Sequence, residues 1–106
     1  MHTPSFALRL CAALALAACA SPSPEFFGAE RRSVVQDGVT VEVFWTDRRA
    51  QAIRMGYATR AEQRGMPGVL GRAIETATGC ALRPGTLQGD SGVVTGAIDC
   101  RSTTAP

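Results

Sequence analysis

Two residue types in this chain stand out for the chemistry they can do, cysteine and histidine. They are Cys11, Cys19, Cys80, Cys100 and the single His2. His2 and Cys11 lie in an amino-terminal segment where Arg9 precedes an uncharged apolar run over residues 10–16, which predicts an export signal. As a helix, the apolar stretch would cover about 16 Å of a hydrocarbon core that is about 30 Å thick. Because the signal is removed, we expect no imidazole in the exported part as a base or metal ligand.

The signal ends in Leu16-Ala17-Ala18-Cys19, an aliphatic residue and two small residues before a cysteine. This order resembles the lipobox of bacterial lipoproteins, and the resemblance covers the signal alone. It implies that diacylglycerol is attached to the Cys19 sulfur, that a dedicated peptidase removes residues 1–18, and that the new amino end is acylated. A cysteine thiolate is a strong soft nucleophile and suits thioether formation. Two or three acyl chains, at about 0.8 kcal/mol per buried CH₂, would anchor the protein permanently.

A competing cleavage site lies two residues further on. Ala18-Cys19-Ala20 also satisfies the small-x-small rule, and a cut after Ala20 would release a soluble periplasmic protein. In the lipoprotein family, a residue other than Asp after the cysteine implies sorting to the outer membrane, so the expected location is the cell envelope, lipid-anchored and facing the periplasm. Residues 19–30 are rich in proline and serine at their start and predict a lipidated tether that holds the domain off the bilayer.

The two downstream cysteines lie in a predicted hairpin. Strands over residues 80–87 and 93–100 flank a turn centred on Asp90, which sets Cys80 opposite Cys100. Directly opposed residues in a non-hydrogen-bonded antiparallel pair have Cα atoms about 4.5 Å apart, within reach of a disulfide. In an oxidising compartment we therefore expect a Cys80–Cys100 bridge. The two cysteines form no C-x-x-C motif, which disfavours a redox or metal-binding role.

The turn of this hairpin carries a short resemblance to an enzyme. Gly89-Asp90-Ser91-Gly92 resembles the nucleophile motif of trypsin-like serine proteases, in which the serine attacks the substrate carbonyl. No histidine is available to activate Ser91, the motif continues with valines, and the chain is too short for a double barrel. A hairpin turn accounts for the same residues. The acidic residues are scattered singly, so we predict no catalytic residues, no cofactor, no metal and no enzymatic activity.

Arginines and aromatic residues are the candidate contact residues. Arg48 and Arg49 can bind phosphate through two parallel hydrogen bonds, although solvated turn charges are the simpler interpretation. Phe44 lies on the opposite face of its strand from the valines predicted to be buried, and Phe26 and Phe27 are further candidates. With 11 basic and 9 acidic residues in the chain, a nucleic-acid partner is not expected. The predicted partner surface is Phe44 with Arg48 and Arg49.

Hydrophobic periodicity predicts the strands that position these residues. An Asp37-Gly38 pair between β-branched residues predicts a hairpin, followed by a strand over residues 39–46 whose valines and Trp45 share one face. The next strand, residues 50–59, carries Ile53, Met55 and Tyr57 on one face. An odd-length loop sets Val43 opposite Ile53 on the buried side, whereas a four-residue loop would separate them. We expect the odd loop.

The main helix is predicted over residues 67–78, where an apolar stripe repeats at helical spacing between Pro67 and Gly79. A capping box before it predicts no more than one helical turn. The predicted fold class is α+β: a small antiparallel sheet of four to five strands in ββ(β)αββ order, one helix packed on one face and one disulfide. Residues 31–101 form the single domain, and residues 102–106 are a frayed tail.

These observations favour a non-enzymatic, membrane-anchored envelope lipoprotein. It would bind an envelope protein partner, or stabilise an envelope assembly, through one sheet face or an edge strand. The alternative is an inhibitor or immunity-type binder of a periplasmic enzyme, for which a small disulfide-linked domain is suited. A small hydrolase that acts through carboxylates or Ser91 is the third hypothesis.

Overall fold

The computed structural model of the protein describes residues 21–101. They form an antiparallel sheet with helices between its third and fourth strands. The elements are β1 (Glu30–Gln36), β2 (Val39–Trp45), β3 (Arg49–Arg54), α1 (Arg60–Gln63), α2 (Met66–Thr78), β4 (Ala81–Leu82), β5 (Gln88–Gly89) and β6 (Val93–Asp99). The predicted signal with Cys19, and the predicted tail, lie outside the described residues.

The sheet has the strand order β1-β2-β3-β6-β4, and β5 also pairs with β6. The α+β class, the antiparallel sheet, the single main helix and the disulfide are confirmed. The number of strands differs, because the strand predicted over residues 80–87 is reduced to β4, and a further two-residue strand, β5, follows it. The chain leaves the sheet edge between them at Pro84, which has no amide hydrogen to donate, and at Gly85, whose φ is 76°.

The β1–β2 hairpin forms where the Asp-Gly pair predicts it. Asp37 and Gly38 have φ values of 52° and 79°, and the strands pair from Gln36 opposite Val39 to Glu30 opposite Trp45. Positive φ at both turn residues matches the right-handed twist of the flanking strands. The predicted alternation along β2 is also confirmed, since its valines pack with α2 and its even-numbered residues face the other way.

The register between β2 and β3 differs from the prediction. Trp45 pairs with Ala50 and Val43 with Ala52, so Ile53 lies on the face opposite Val43. The hydroxyl of Thr46 accepts hydrogen bonds from the backbone amides of Arg48 and Arg49. The Thr46 amide donates to the Arg49 carbonyl at 2.9 Å, and these bonds close an even-length loop between β2 and β3. The inner face therefore holds alanines, whose small side chains let α2 approach the sheet.

Helix α2 covers the inner face of the sheet. Its fully buried residues include Leu70, Ala73 and Ile74, and they pack on the valines of β2 and on Val94 of β6. Gly79 ends the helix in the left-handed conformation, and its amide donates to the Glu75 carbonyl. This helix confirms the prediction over residues 67–78.

The short helix α1 and the disulfide also match expectation. Thr59 and Glu62 form a complete capping box, in which each side chain accepts a hydrogen bond from the other residue's amide, and the helix lasts for a single turn. Ala81 lies opposite Asp99 in the β4–β6 pair, a register that brings Cys80 beside Cys100. The two cysteines are bridged, with Cα atoms 4.3 Å apart. The bridge ties the end of α2 to the end of β6.

Candidate functional site

The outer face of the sheet, opposite α2, is partly covered by the chain's own amino-terminal segment. Pro24–Phe26 forms one turn of 3₁₀ helix, and the Phe26 ring is 1% exposed. It packs with Phe44 of β2 and Ile53 of β3 in a second, smaller apolar cluster. This cluster explains the observed β2–β3 register, because Ile53 gains a buried position beside Phe26 on the outer face.

Gln51 holds the same segment by hydrogen bonds. It is the buried polar side chain of the described residues, 4% exposed, and lies at the centre of the outer face. Its side-chain oxygen Oε1 accepts a hydrogen bond from the Ser23 backbone amide at 2.9 Å. Its side-chain nitrogen Nε2 donates to the Ser23 hydroxyl at 2.8 Å and to the Thr95 hydroxyl at 3.0 Å. A buried amide is stable only where its donors and acceptors are satisfied, so these bonds define where Ser23 sits.

Among residues 21–101, contact with the outer face thus includes Ser23, which the sequence places in a tether. Glu25 continues the contact, with its carboxylate 3.0 Å from the Arg49 guanidinium. The Pro/Ser composition indicates an extended spacer, but Phe26 can bury its ring only on the outer face, and this draws residues 23–29 onto the sheet. In the sequence, three residues separate Cys19 from Ser23.

Phe44, predicted as part of a partner surface, is covered. Its ring is 4% exposed beneath Phe26, and the Arg31 guanidinium lies 5.2 Å from the ring centroid. The prediction placed Phe44 on the correct face of β2 and failed to identify what covers that face. The sequence signal for the cover was the aromatic pair Phe26-Phe27 directly after the proline-rich stretch.

Arg48 and Arg49, the other predicted contact residues, line an open cleft of about 660 Å³ at one end of the sheet. We call it the arginine cleft, and its charged residues are Asp47, Arg48, Arg49, Arg83, Asp99 and Arg101. Asp99 lies 3.8 Å from the Arg83 guanidinium, and Arg49 pairs with Glu25, whereas the Arg48 side chain forms no ion pair within residues 21–101. The cleft thus has more positive than negative charge and exposes guanidinium groups suited to phosphate or carboxylate.

A second accessible feature is the free edge of the sheet. Strand β1 pairs only with β2 among the described strands, so one side of a seven-residue strand is open. The tight hairpin makes Gln36 and Val39 a hydrogen-bonded pair, and alternation then directs the backbone groups of Arg31, Ser33 and Val35 outward. Val35 is 70% exposed. Such an edge is a template for another strand.

The Asp90-Ser91 segment forms the β5–β6 turn, as its hairpin interpretation predicts. The Asp90 carboxylate accepts hydrogen bonds from the amides of Gly92 and Val93, at 2.8 and 3.0 Å, and these bonds hold the pKa of this carboxyl below its ordinary value. The carbonyl of Ser91 accepts from the Arg54 guanidinium at 2.8 Å. Asp90 is thereby bound to turn amides, an arrangement that fixes the turn.

No cluster of three or more His, Cys, Asp or Glu side chains within residues 21–101 lies close enough together to hold a metal ion. No helix in the same range has the length and apolar character needed to cross a bilayer.

Comparison of the chain with protein-family models, with curated proteins and with solved structures finds no match.

Proposed function

We propose that this protein is a non-enzymatic envelope lipoprotein, anchored through lipid on Cys19, that binds an envelope protein partner. The observation that carries the proposal is the free edge of β1, where the outward backbone groups of Arg31, Ser33 and Val35 pair with no other strand of the described residues. The alternative partner is a periplasmic enzyme that the protein inhibits, and this would use the same edge. The proposed location is the outer membrane, on its periplasmic side.

The edge suits strand addition for two physical reasons. Outward amides and carbonyls give hydrogen bonds to any extended segment, and the side chains of alternate residues then select the sequence of the partner. Helix α2 packs behind β1, where Thr76 donates to Gln36 at 2.8 Å and fixes the strand in place. A preorganised strand loses little conformational entropy when a partner binds.

The edge also carries features that limit indiscriminate pairing. Arg31 and Arg32 place two like charges on one half of β1, and Arg31 forms an ion pair with Glu42 at 3.3 Å. Charges on an edge strand discourage pairing with an arbitrary strand, because their burial against an uncharged partner is costly. A partner strand with acidic residues opposite these arginines would compensate them.

The test is Ser33→Pro with Ser33→Ala as its matched control. Proline at position 33 removes one outward amide hydrogen and leaves the hydrogen-bonded pairs of the β1–β2 ladder in place. Alanine removes the hydroxyl but keeps the amide. Affinity capture from detergent-solubilised envelopes, with the full chain as bait, should recover a stoichiometric partner with the wild type and with Ser33→Ala, and lose it with Ser33→Pro.

Thermal unfolding of both variants checks that the domain remains folded. Equal partner recovery with folded Ser33→Pro would exclude the β1 edge as the binding surface, and absence of any stoichiometric partner with the wild type would contradict the binding function. The identity of the captured protein separates an envelope assembly from an inhibited enzyme.

A further inference from the structure

We propose that the outer face of the sheet is the surface that rests on the bilayer, with α2 pointing away from it. The inference depends on the proposed lipid anchor at Cys19. It assigns the phospholipid headgroups of the anchoring membrane as the occupant of the uncovered part of the outer face and of the arginine cleft.

The short stretch of chain between Cys19 and Ser23 limits how far the domain can lie from its lipid anchor. Ser23 is fixed over the centre of the outer face by its bonds to Gln51, and it follows Cys19 by four residues. A fully extended chain advances at most about 3.6 Å per residue, so Ser23 lies no more than about 14 Å from the lipidated residue. The face beneath Ser23 is therefore the part of the domain closest to the headgroups.

The exposed apolar side chains are concentrated on the same side of the domain. Among the described residues, four large hydrophobic side chains are exposed: Phe27, Val35, Tyr57 and Val93. Phe27 follows the buried Phe26 in the docked segment, and Val35 and Val93 point to the outer face, since they lie opposite Thr40 and Ile53. Three of the four are thus on the side from which the anchor leaves, where a membrane interface can take them up.

The arginine cleft adds positive charge at the end of the outer face. Arg31 and Arg49 on the outer face are paired with Glu42 and Glu25. The arginine cleft opens at the end of the same face, where Arg48 forms no ion pair within the described range and the Arg83 side chain is about half exposed. Guanidinium groups bind phosphate oxygens in a planar, two-bonded geometry. Basic residues near an anionic membrane surface also gain from its negative potential.

The opposite side of the domain has a different character. The exposed positions of α2 include Arg72, Glu75 and Thr76, which are all polar. Arg72 forms an ion pair with Asp37 at 2.6 Å, and the Glu75 carboxylate accepts from the Leu82 amide at 2.9 Å. The asymmetry between the two sides selects the outer face for the membrane.

The free edge of β1 is compatible with this orientation. Its outward amides lie in the plane of the sheet, so they remain accessible from the side while the outer face contacts lipid. A partner strand would add parallel to the membrane surface.

The experiment uses the lipidated, mature protein reconstituted in phosphatidylcholine–phosphatidylglycerol nanodiscs that carry a nitroxide on the lipid headgroup. Paramagnetic broadening of amide signals reports which side faces the lipid. We expect strong broadening at Phe27, Val35 and Val93, and sharp signals at Arg72 and Glu75. Equal broadening on both sides, or stronger broadening along α2, would overturn the orientation.

A pair of double variants tests the part played by the arginines. Arg48→Glu with Arg83→Glu reverses the charge of the cleft, and Arg60→Glu with Arg64→Glu makes the same change in net charge on and beside α1. The cleft variant should reduce the broadening at Ala97, which lines the cleft, to the level seen on α2, and the control variant should leave it unchanged. Equal effects of the two variants, or no effect of either, would remove the cleft from the membrane surface.

Phosphate titration and the intact mass distinguish membrane contact from binding of a soluble anion and from loss of the lipid anchor. If inorganic phosphate shifts the Arg48 side-chain signal in nitroxide-labelled phosphatidylcholine discs while the outer face shows no broadening, the cleft binds a soluble anion and the membrane assignment is wrong. The intact mass of the preparation reports the acyl groups independently. A lipidated protein without a preferred orientation refutes this inference alone, whereas an unlipidated chain refutes the anchor and, with it, the orientation.

Discussion

The two faces of the sheet are covered in different ways. The inner face lies under α2, whose buried side chains form a continuous core with β2, β3 and β6. The outer face lies under a short irregular segment that buries one ring, Phe26, and forms hydrogen bonds through Gln51. The difference predicts that the inner face supplies most of the stability of the domain and that the segment on the outer face opens more easily.

The substitution Leu70→Ala, in the middle of α2, should have the largest effect on the stability of the domain. Leu70 is fully buried, and the deletion leaves a cavity that the helix and sheet cannot easily close, so we expect a loss of about 2–5 kcal/mol in the free energy of unfolding. Urea denaturation followed by circular dichroism measures it. Val35→Ala, at an exposed position, should change the same quantity by less than about 0.5 kcal/mol. Similar losses for both variants would contradict the placement of the core.

The disulfide should have the next largest effect. Replacing Cys80 and Cys100 together by alanine opens a loop with a sequence separation of 20 residues, for which the loop-entropy relation gives about 3 kcal/mol. Denaturant midpoints of the oxidised wild type and the double variant measure the difference. Reaction of both cysteines with an alkylating reagent in the folded protein, before any reduction, would show that the bridge is not formed.

Phe26→Ala tests the outer face directly. Burial of one phenylalanine side chain contributes about 1.5–3 kcal/mol, and we expect no added cavity cost because the segment can move away from the sheet. The variant should speed hydrogen exchange at the Ala29 amide, which donates to the Phe26 carbonyl, and leave exchange within α2 unchanged. Phe27→Ala, at an exposed neighbour, is the control. Faster exchange throughout α2 would mean that the two faces unfold as one unit.

The smallest expected effect is the pH dependence of the β5–β6 turn. The amides of Gly92 and Val93 lower the pKa of Asp90 in the folded state, so this carboxylate stabilises the fold above its unfolded-state pKa, and the contribution is lost as the pH falls through the folded-state pKa. Asp90→Asn cannot titrate. Its melting temperature should therefore fall less than that of the wild type on acidification, and parallel pH profiles would exclude this contribution.

Local sequence signals predicted the elements whose conformation is decided locally. The Asp37-Gly38 turn, the alternation of β2, the end of α2 at Gly79 and the opposition of Cys80 and Cys100 all follow from turn chemistry, periodicity and register. These features depend on residues that are neighbours in the chain or across one hairpin. The structure confirms them.

The features that were not predicted depend on contacts between distant parts of the chain. The β2–β3 register was assigned by placing Ile53 on the inner face, but a second apolar cluster on the outer face accepts Ile53 and leaves Ala50 and Ala52 beneath α2. Periodicity along one strand shows that two faces exist and does not show which of them is covered. The covering residue, Phe26, lies in a segment with the composition of a linker.

The candidate site also depends on contacts between distant parts of the chain. Arg48 and Arg49 were identified from residue type, but the cleft that joins them to Arg83 arises from the β3–β6 pairing, which no local pattern indicates. Gln51 had no distinguishing signal, because a polar residue in a strand is ordinarily exposed. Its importance comes from Ser23, 28 residues earlier in the chain.

The intact mass of the protein extracted from the cell envelope tests the lipid anchor directly. We predict a chain that begins at Cys19 and carries a diacylglycerol thioether with an acylated amino end, with the Cys80–Cys100 bridge intact. Such a mass would place the lipid four residues before Ser23, which is bound to Gln51 on the outer face of the sheet. An unmodified chain beginning at Ser21 would contradict the anchor, and with it the proposed function and the orientation on the membrane.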